Sequence, residues 1–398
     1  MKKILAMLLA LVMVMGLVAC GTDAPETTAP AETTAPAEST PAETNPAEST
    51  PAVSDVEYKI AMITDYGDIT DQSFNQTTYE AVKAFSEANG VAYNYYKPSG
   101  DSTAERIAMV DAAIVDGYNV IVMPGFAFGE TLAEVADLYP EIKFVALDVA
   151  EGEGGFTATE NVFSAVYQEE LSGYMAGYAA VKLGYKHLGY LGGMAVPAVQ
   201  RFGYGFLQGV DAAAKELGIV GDIKVEYVYG NQFYGDADIT AVMDTWYGEK
   251  GVECVFACGG GIFTSAAEAA AKVGGKVIGV DVDQAPVIDG LYGEGLTVTS
   301  ALKGLAPTVK TVLSAIVLED NWAAYAGKIE TLGLVSADPE ANYVQIPMAS
   351  TQFAEGFTAE DYSALVAAMF EGTVAVSGDI SAFPTTEVTV ETYADIKG

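Results

Sequence analysis

The segment Thr64–Gln76 (TDYGDITDQSFNQ) places Asp65, Asp68 and Asp71 around Gly67 and follows them with Ser73, Asn75 and Gln76. Carboxylates beside a glycine and amides suit more than one purpose. They cap a helix, with Asp71 or Ser73 accepting from its first N–H groups and Phe74 packed inward. They also suit a polar ligand site, because the loop leaves the carboxyl end of one apolar run and enters a helix N-terminus. A third use is hydrolytic, since clustered aspartates bind Ca²⁺ and activate water. Against hydrolysis, no nucleophile–base pair is evident and His187 is the only histidine.

Two more acids stand at the ends of apolar runs. VIVMPGFAFGETLAEVA followed by IKFVALDVA ends on Asp148, and CVFACGGGIFTSAAEAA followed by GKVIGVDVD ends on Asp281. Each block reads strand, glycine-containing turn, helix, strand, acid. Gly125 to Asp148 spans 23 residues and Gly259 to Asp281 spans 22. The repeat indicates a duplicated lobe, and two facing lobes would bring both acidic strand ends into one cleft.

The elements that must hold these residues alternate. Apolar runs at 58–64, 91–96, 119–124 and 142–148 are separated by helical patterns at 73–89, 102–116 and 129–138, with Ser102 and Glu105 forming a capping box. After a helix at 168–183, strands are expected at 188–192, 224–229, 253–257, 276–280 and 296–299. Helices fall between them at 199–217, 237–247 and 264–272. Short apolar strands alternating with helices indicate βαβ units: an α/β protein of two Rossmann-like lobes with parallel sheets.

Composition narrows the function. The 398 residues carry 19 Lys+Arg against 54 Asp+Glu, a net charge of −35, with 51% hydrophobic and 10% aromatic residues. A packed core is assured, while nucleic acid and anionic lipid are disfavoured as partners. Three cysteines make no disulfide framework, and Cys254 and Cys258 lack the further ligands of a zinc set, so they read as buried strand thiols. His187 reads as a surface or packing residue. Tyr66, Phe126 and Phe128 line a cleft or pack, and Phe126 is assigned to packing. No dinucleotide fingerprint or P-loop is in register, and neither a cofactor nor a metal is expected.

At the N-terminus, Lys2 and Lys3 precede the uncharged run Ile4–Ala19, which fits the apolar region of a secretory signal. The run closes on LVAC, similar to a bacterial lipobox, which implies a signal peptide over 1–19 and a lipid anchor on Cys20. Residues 20–56 are rich in Thr, Pro, Ala and Glu, a composition that favours an extended disordered stalk.

The loop TDYGDITDQSFNQ resembles the TDxGGxxDxSFNQ signature of the basic membrane protein family, the substrate-binding lipoproteins that present purine nucleosides to ABC importers. The resemblance recurs at GGMAVPAVQRFGYGF, YGNQFYGD, GVDVDQ and TSALK, covering most of 57–320 in matching order. It implies a type I periplasmic binding protein fold whose chain crosses three times between lobes. The N-terminal lobe is expected over 57–165 plus part of 296–330, and the C-terminal lobe over 166–295 plus part of 331–398.

The resemblance also implies roles. Phe74 and Phe233 would stack on opposite faces of a purine. Asn75 and Asp148 would bond the base edge, and Asp65 would line the same wall. Gly259 or Gly260, Asp281 and Lys303 would hold the ribose, with Lys303 neutralising Asp281. It further implies an ABC permease as partner, attachment to the extracytoplasmic face of the cell membrane, a monomer, and no catalysis. Asp68 stands where the family usually has Gly, Gln72 where a basic residue is common, and CGGGIFT replaces a GGTG-type loop, so the ligand's identity is open on the sugar side. The alternatives are another small ligand such as riboflavin, or a surface-tethered nucleoside hydrolase using the acids of 65–71.

Overall fold

The computed structural model describes residues 56–398. The expected signal peptide, the Cys20 anchor and the stalk up to residue 55 lie outside the described residues. The chain begins with β1 (Lys59–Ile63), α1 (Phe74–Asn89), β2 (Ala92–Tyr96), α2 (Thr103–Val115), β3 (Val120–Pro124), α3 (Phe128–Val135), β4 (Lys143–Leu147) and β5 (Val162–Tyr167). It continues through α4 (Glu169–Lys182), β6 (His187–Gly192), α5 (Pro197–Leu217), β7 (Lys224–Tyr229), α6 (Ala237–Thr245), β8 (Cys254–Cys258), α7 (Phe263–Val273), β9 (Lys276–Asp281), α8 (Ala285–Tyr292) and β10 (Thr297–Lys303). It closes with α9 (Leu305–Val317), β11 (Lys328–Leu332), β12 (Val344–Gln345), α10 (Ala359–Phe370) and β13 (Thr389–Thr392).

Two sheets result. The first has the order β11-β5-β4-β3-β1-β2 and the second β12-β10-β9-β8-β6-β7-β13. All pairings are parallel except β12 on β10. The cores β2-β1-β3-β4-β5 and β7-β6-β8-β9-β10 repeat one topology, as the duplicated sequence blocks predict. In each, the strand order reverses beside the first strand, which opens a crevice at the carboxyl ends.

Alternating side chains fill both faces of each sheet. Ile60 and Met62 join the core beneath α1 and α9, whereas Ala61 and Ile63 join the core beneath α2 and α3. The second sheet repeats this, with Leu188 and Tyr190 on one side and Leu191, Val255 and Ala257 among those on the other. This two-sided burial is why the strands read as unbroken apolar runs.

The chain passes between lobes after Tyr167, after Lys303, and between Leu332 and Val344. β10 belongs to the second sheet, so the first lobe takes α9 and β11 from the 296–330 stretch. The crossovers run side by side: Gln168 N–H donates to Leu332 O, Gly304 N–H to Tyr343 O, and Tyr343 N–H to Gly333 O.

Helices α4 and α5 pack with their backbones almost touching. A Cβ on Gly205 would lie 2.1 Å from Glu170 O, one on Gly209 2.1 Å from Tyr174 O, and one on Gly173 2.2 Å from Phe202 O. Those glycines are the reason the two helices approach so closely. The Ser102–Glu105 capping box forms as expected. Cys254 and Cys258 are buried free thiols on β8, and His187 Nε2 lies 3.0 Å from Glu226 Oε1 at the opposite end of the second sheet.

Candidate functional site

The carboxyl ends of both sheets enclose a cavity of about 520 Å³, within the ~300–1,000 Å³ span of small-molecule sites. Every expected site residue lines it: Asp65, Phe74, Asn75, Asp148, Phe233, Gly259, Gly260, Asp281 and Lys303. Their equivalence between lobes extends to the backbone. Gly125 and Gly259 have φ of 128° and 151°, and the acids that follow them, Asp148 and Asp281, have φ of 63° and 66°. A left-handed carboxylate residue at the same place in each lobe is a strained choice of the kind found at binding sites.

The acidic loop after β1 is ordered by its own carboxylates. Asp71 accepts from the N–H groups of Ser73, Asn75 and Gln76, at 2.9, 2.9 and 3.0 Å, and so caps α1. Asp65 accepts from Gly67 N–H and from Asn75 Nδ2, both at 3.1 Å. Asp68 turns outward to Thr70 and to Lys97, 2.6 Å away at the rim. Asp65 and Asp71 are thus taken up by backbone N–H groups and the shared Asn75 amide, and Asp68 points away to the rim, so the three acids do not converge on one point as the hydrolytic reading requires. Asn75 Nδ2 also donates to Asp71, which fixes the amide's orientation and turns Oδ1 away from both carboxylates. That oxygen is buried with no protein partner, as is Asp148 Oδ1.

Lys303, at the end of β10, is the electrostatic centre. Its Nζ lies 2.6 Å from Asp148 Oδ2 and 3.0 Å from Glu169 Oε1, and 5.1, 5.3 and 5.6 Å from the ring centroids of Phe74, Tyr167 and Phe202. Glu169 in turn holds Arg201 Nε at 2.5 Å. The direct partners of Lys303 are Asp148 and Glu169, and its charge acts on Asp281 through space. Asp281 instead accepts from Ser73 Oγ at 2.6 Å, across the lobe boundary. Gln284 Nε2 donates to Gln72 O over the same boundary.

Burial and close charges compete in the titration of these groups. Burial pushes Asp281 up to about 6, against the pull of Lys303 and Ser73. It likewise pushes Asp65 to about 6, against bonds from Gly67 and Asn75. Asp148 is raised by burial, with Lys303 opposing. Burial also works to raise Glu169, but Lys303 and Arg201 outweigh it and hold that carboxyl below its ordinary value. Burial works to lower Lys303, and Asp148, Glu169 and Asp281 reverse this and keep it firmly charged.

Aromatic rings form the mouth. Tyr66 stacks on Phe126 with centroids 5.8 Å apart, and lies 6.3 Å from Phe233. Phe126 is thus a lining residue, contrary to its assignment to packing: Gly125 turns the chain outward before it, so its ring faces the cleft. Phe128, the first residue of α3, is fully buried in the core.

Glu169 and Arg201 escaped the sequence reading. Arg201 lies within VPAVQRFGYGF, an otherwise apolar helical stretch in a chain poor in cations. A partly buried arginine there calls for a carboxylate, and that is the signal that could have found the pair.

Two α/β lobes with a cleft at the strand ends define a solute-binding protein of type I periplasmic binding fold. The model of the Bmp family, described as ABC transporter substrate-binding protein PnrA-like, matches residues 58–337, and the chain belongs to this family. Among relatives, it is similar to the ABC transporter nucleoside-binding protein BmpA of Lactococcus lactis subsp. cremoris, 29% identical over 57% of this chain and 65% of that protein, just under two thirds of its length. It is also similar to basic membrane protein B of Borreliella afzelii, 27% identical over 69% of this chain and 78% of that protein. A solved ABC transporter solute-binding protein from Aeropyrum pernix matches with a TM-score of 0.63 at 24% identity, over 80% of this chain and 87% of that one, which supports the fold.

Proposed function

We propose that the protein captures a nucleoside, with a purine as its base, between its lobes and delivers it to an ABC permease. In this reading it is a monomeric lipoprotein held by Cys20 on the extracytoplasmic face of the cell membrane, and it performs no chemistry on its ligand. The supporting observation is the pair of buried oxygens without protein partners, Asn75 Oδ1 and Asp148 Oδ1. Buried acceptors require donors, and purine bases supply them as a ring N–H in hypoxanthine, an exocyclic amine in adenine, or both in guanine.

The remaining walls suit the rest of such a ligand. Phe74 and Phe233 come from opposite lobes and offer ring faces, each worth ~0.5–1.5 kcal/mol beyond buried area. Asp281 offers a carboxylate to ribose hydroxyls, and Lys303 a cation held in place by Asp148 and Glu169. Gly259 and Gly260, both at positive φ, leave backbone open to the sugar. Asp68, which departs from the family pattern, is engaged by Lys97 at the rim and leaves the floor unaltered. The carboxylate-rich lining disfavours a phosphate, so nucleosides are preferred to nucleotides.

Calorimetry with inosine, guanosine, adenosine, uridine and riboflavin tests this. The purine nucleosides are expected to bind and to be recovered unchanged. If none of the nucleosides bound at high micromolar concentration the assignment would be wrong, riboflavin binding alone would redirect it, and release of free base would reassign the protein as a hydrolase.

A further inference from the structure

The family model stops at residue 337, yet the chain returns along the edge of the second sheet to reach the loop that carries Phe233. Strand β13 pairs in parallel with β7, from Thr389 opposite Lys224 to Thr392 opposite Tyr227. The pairing then ends, but the chain keeps following β7 out of the sheet. Tyr393 N–H donates to Tyr227 O at 3.0 Å and Ile396 N–H to Tyr229 O at 2.9 Å. β7 leads directly into the loop 230–236 that carries Phe233.

That loop is held from two sides. On the inner side Asn231 N–H donates to Gly193 O and Gly261 N–H to Phe233 O, each at 2.9 Å. A Cβ on Gly193 would lie 2.5 Å from the Phe233 ring, so the ring rests on bare backbone. On the outer side stands the chain's C-terminus. Asn231 Nδ2 donates to Lys397 O at 3.3 Å. Lys397 Nζ lies 2.8 Å from Asp236 Oδ2 and also pairs with Asp238.

Asp236 is the knot of the loop. It caps α6 by accepting from Asp238 and Ile239 N–H, both at 3.0 Å, and it accepts from Gln232 Nε2 at 3.1 Å. The Gln232 amide also donates to Tyr234 O at 2.8 Å. Phe233 is therefore bracketed by residues that meet on one carboxylate, and Lys397 is the cation on that carboxylate. Lys397 is the leading cause that holds Asp236 down at about 2.

We propose that residues 389–397 are a strap that positions the Phe233 loop, with Lys397 as its positioning residue. The strap touches no ligand. It limits how far the loop can lift from Gly193 and Gly259, and so keeps the ring at the cavity wall. The link to affinity rests on the reading that Phe233 stacks on the ligand, whereas the hold on the loop does not.

Amide exchange over residues 230–236 of the full-length protein without ligand tests the hold directly. Lys397→Met is expected to speed exchange there about two- to fivefold, the span an exposed ion pair supports. Deletion of 394–398 should speed it at least about tenfold, Lys397→Arg should restore it, and β4 amides should be unaffected in all three. In parallel, inosine dissociation is measured for the same variants and for Phe233→Ala. Loop exchange unchanged in both Lys397→Met and the deletion would overturn the strap. Faster loop exchange with Phe233→Ala binding inosine as tightly as the parent would uphold the strap and reject the stacking reading. Weaker binding by Phe233→Ala with loop exchange unaltered would do the reverse.

Discussion

Lys303 Nζ and Asp148 Oδ2 meet at 2.6 Å, the first at the end of a strand in the second sheet, the second just past a strand in the first. Their pairing joins the lobes beneath the ligand cavity. Glu169, at the first residue of α4 after a crossover, completes the contact from a third direction. A cation seated there sets the charge of the cavity floor and ties that floor to two of the three crossovers.

Lys303→Met should therefore be costly. It leaves the Asp148 and Glu169 carboxylates buried with Arg201 as their nearest cation, and breaking a buried pair from one side costs about 3–5 kcal/mol. Urea unfolding should show a loss of unfolding free energy of that size. A shift below ~1 kcal/mol, the range of an exposed pair, would mean that water reaches the floor.

Asp281 predicts a pH dependence. Its carboxyl is raised from 3.8 to about 6 by burial, so between those values the folded form keeps a proton that the unfolded chain has lost. Stability then falls as pH rises through that window, with the penalty absent below it and complete above it. At 1.36 kcal/mol per unit the ceiling is about 3 kcal/mol. Unfolding of Asp281→Asn against the parent at several pH values isolates this slope, which the variant should lack. Affinity for a ribose-bearing ligand should move the other way and improve as pH rises through about 6, since the charged carboxylate is the stronger acceptor.

Replacing either Phe74 or Phe233 with Ala should weaken purine nucleoside binding by about 2- to 12-fold from the lost ring contact alone. Each ring also carries stability. Phe74 packs against the first lobe's core and against Lys303, and Phe233 packs against the second lobe's core, so loss of either should also lower the melting temperature. Titration with guanosine, together with thermal melts, separates the two effects.

Gly205→Ala should be harmful although it adds one methyl group at a position that does not line the cavity. Its Cβ would fall 2.1 Å from Glu170 O, so α4 and α5 must part. Overpacking of this kind costs typically about 1–3 kcal/mol. Parting the helices also pulls Arg201 from Glu169, and ligand affinity should fall together with stability. Retained affinity in a destabilised Gly205→Ala protein would separate the helix seam from the site.

The duplicated core was legible because strands buried on both faces stand out as apolar runs between helical patterns. Residues at strand ends were legible for the same reason, once the repeat aligned Asp148 with Asp281. The strand β5 (VFSAVY) was missed because a glycine-rich stretch precedes it and a single residue, Gln168, separates it from α4. Edge strands β11 (KIETL) and β13 (TVET) bury one face at most and carry no apolar signal. The Glu169–Arg201 pair and the Lys303 partners depend on how the lobes face each other, which no local pattern encodes.

Ser73 on Asp281 and Gln284 on Gln72 fasten the lobes directly to each other, with no guest between them. Escape of a captured molecule must wait until both fastenings let go. Residence time is thus governed partly by the protein's own latch, and a change at Ser73 would shorten it.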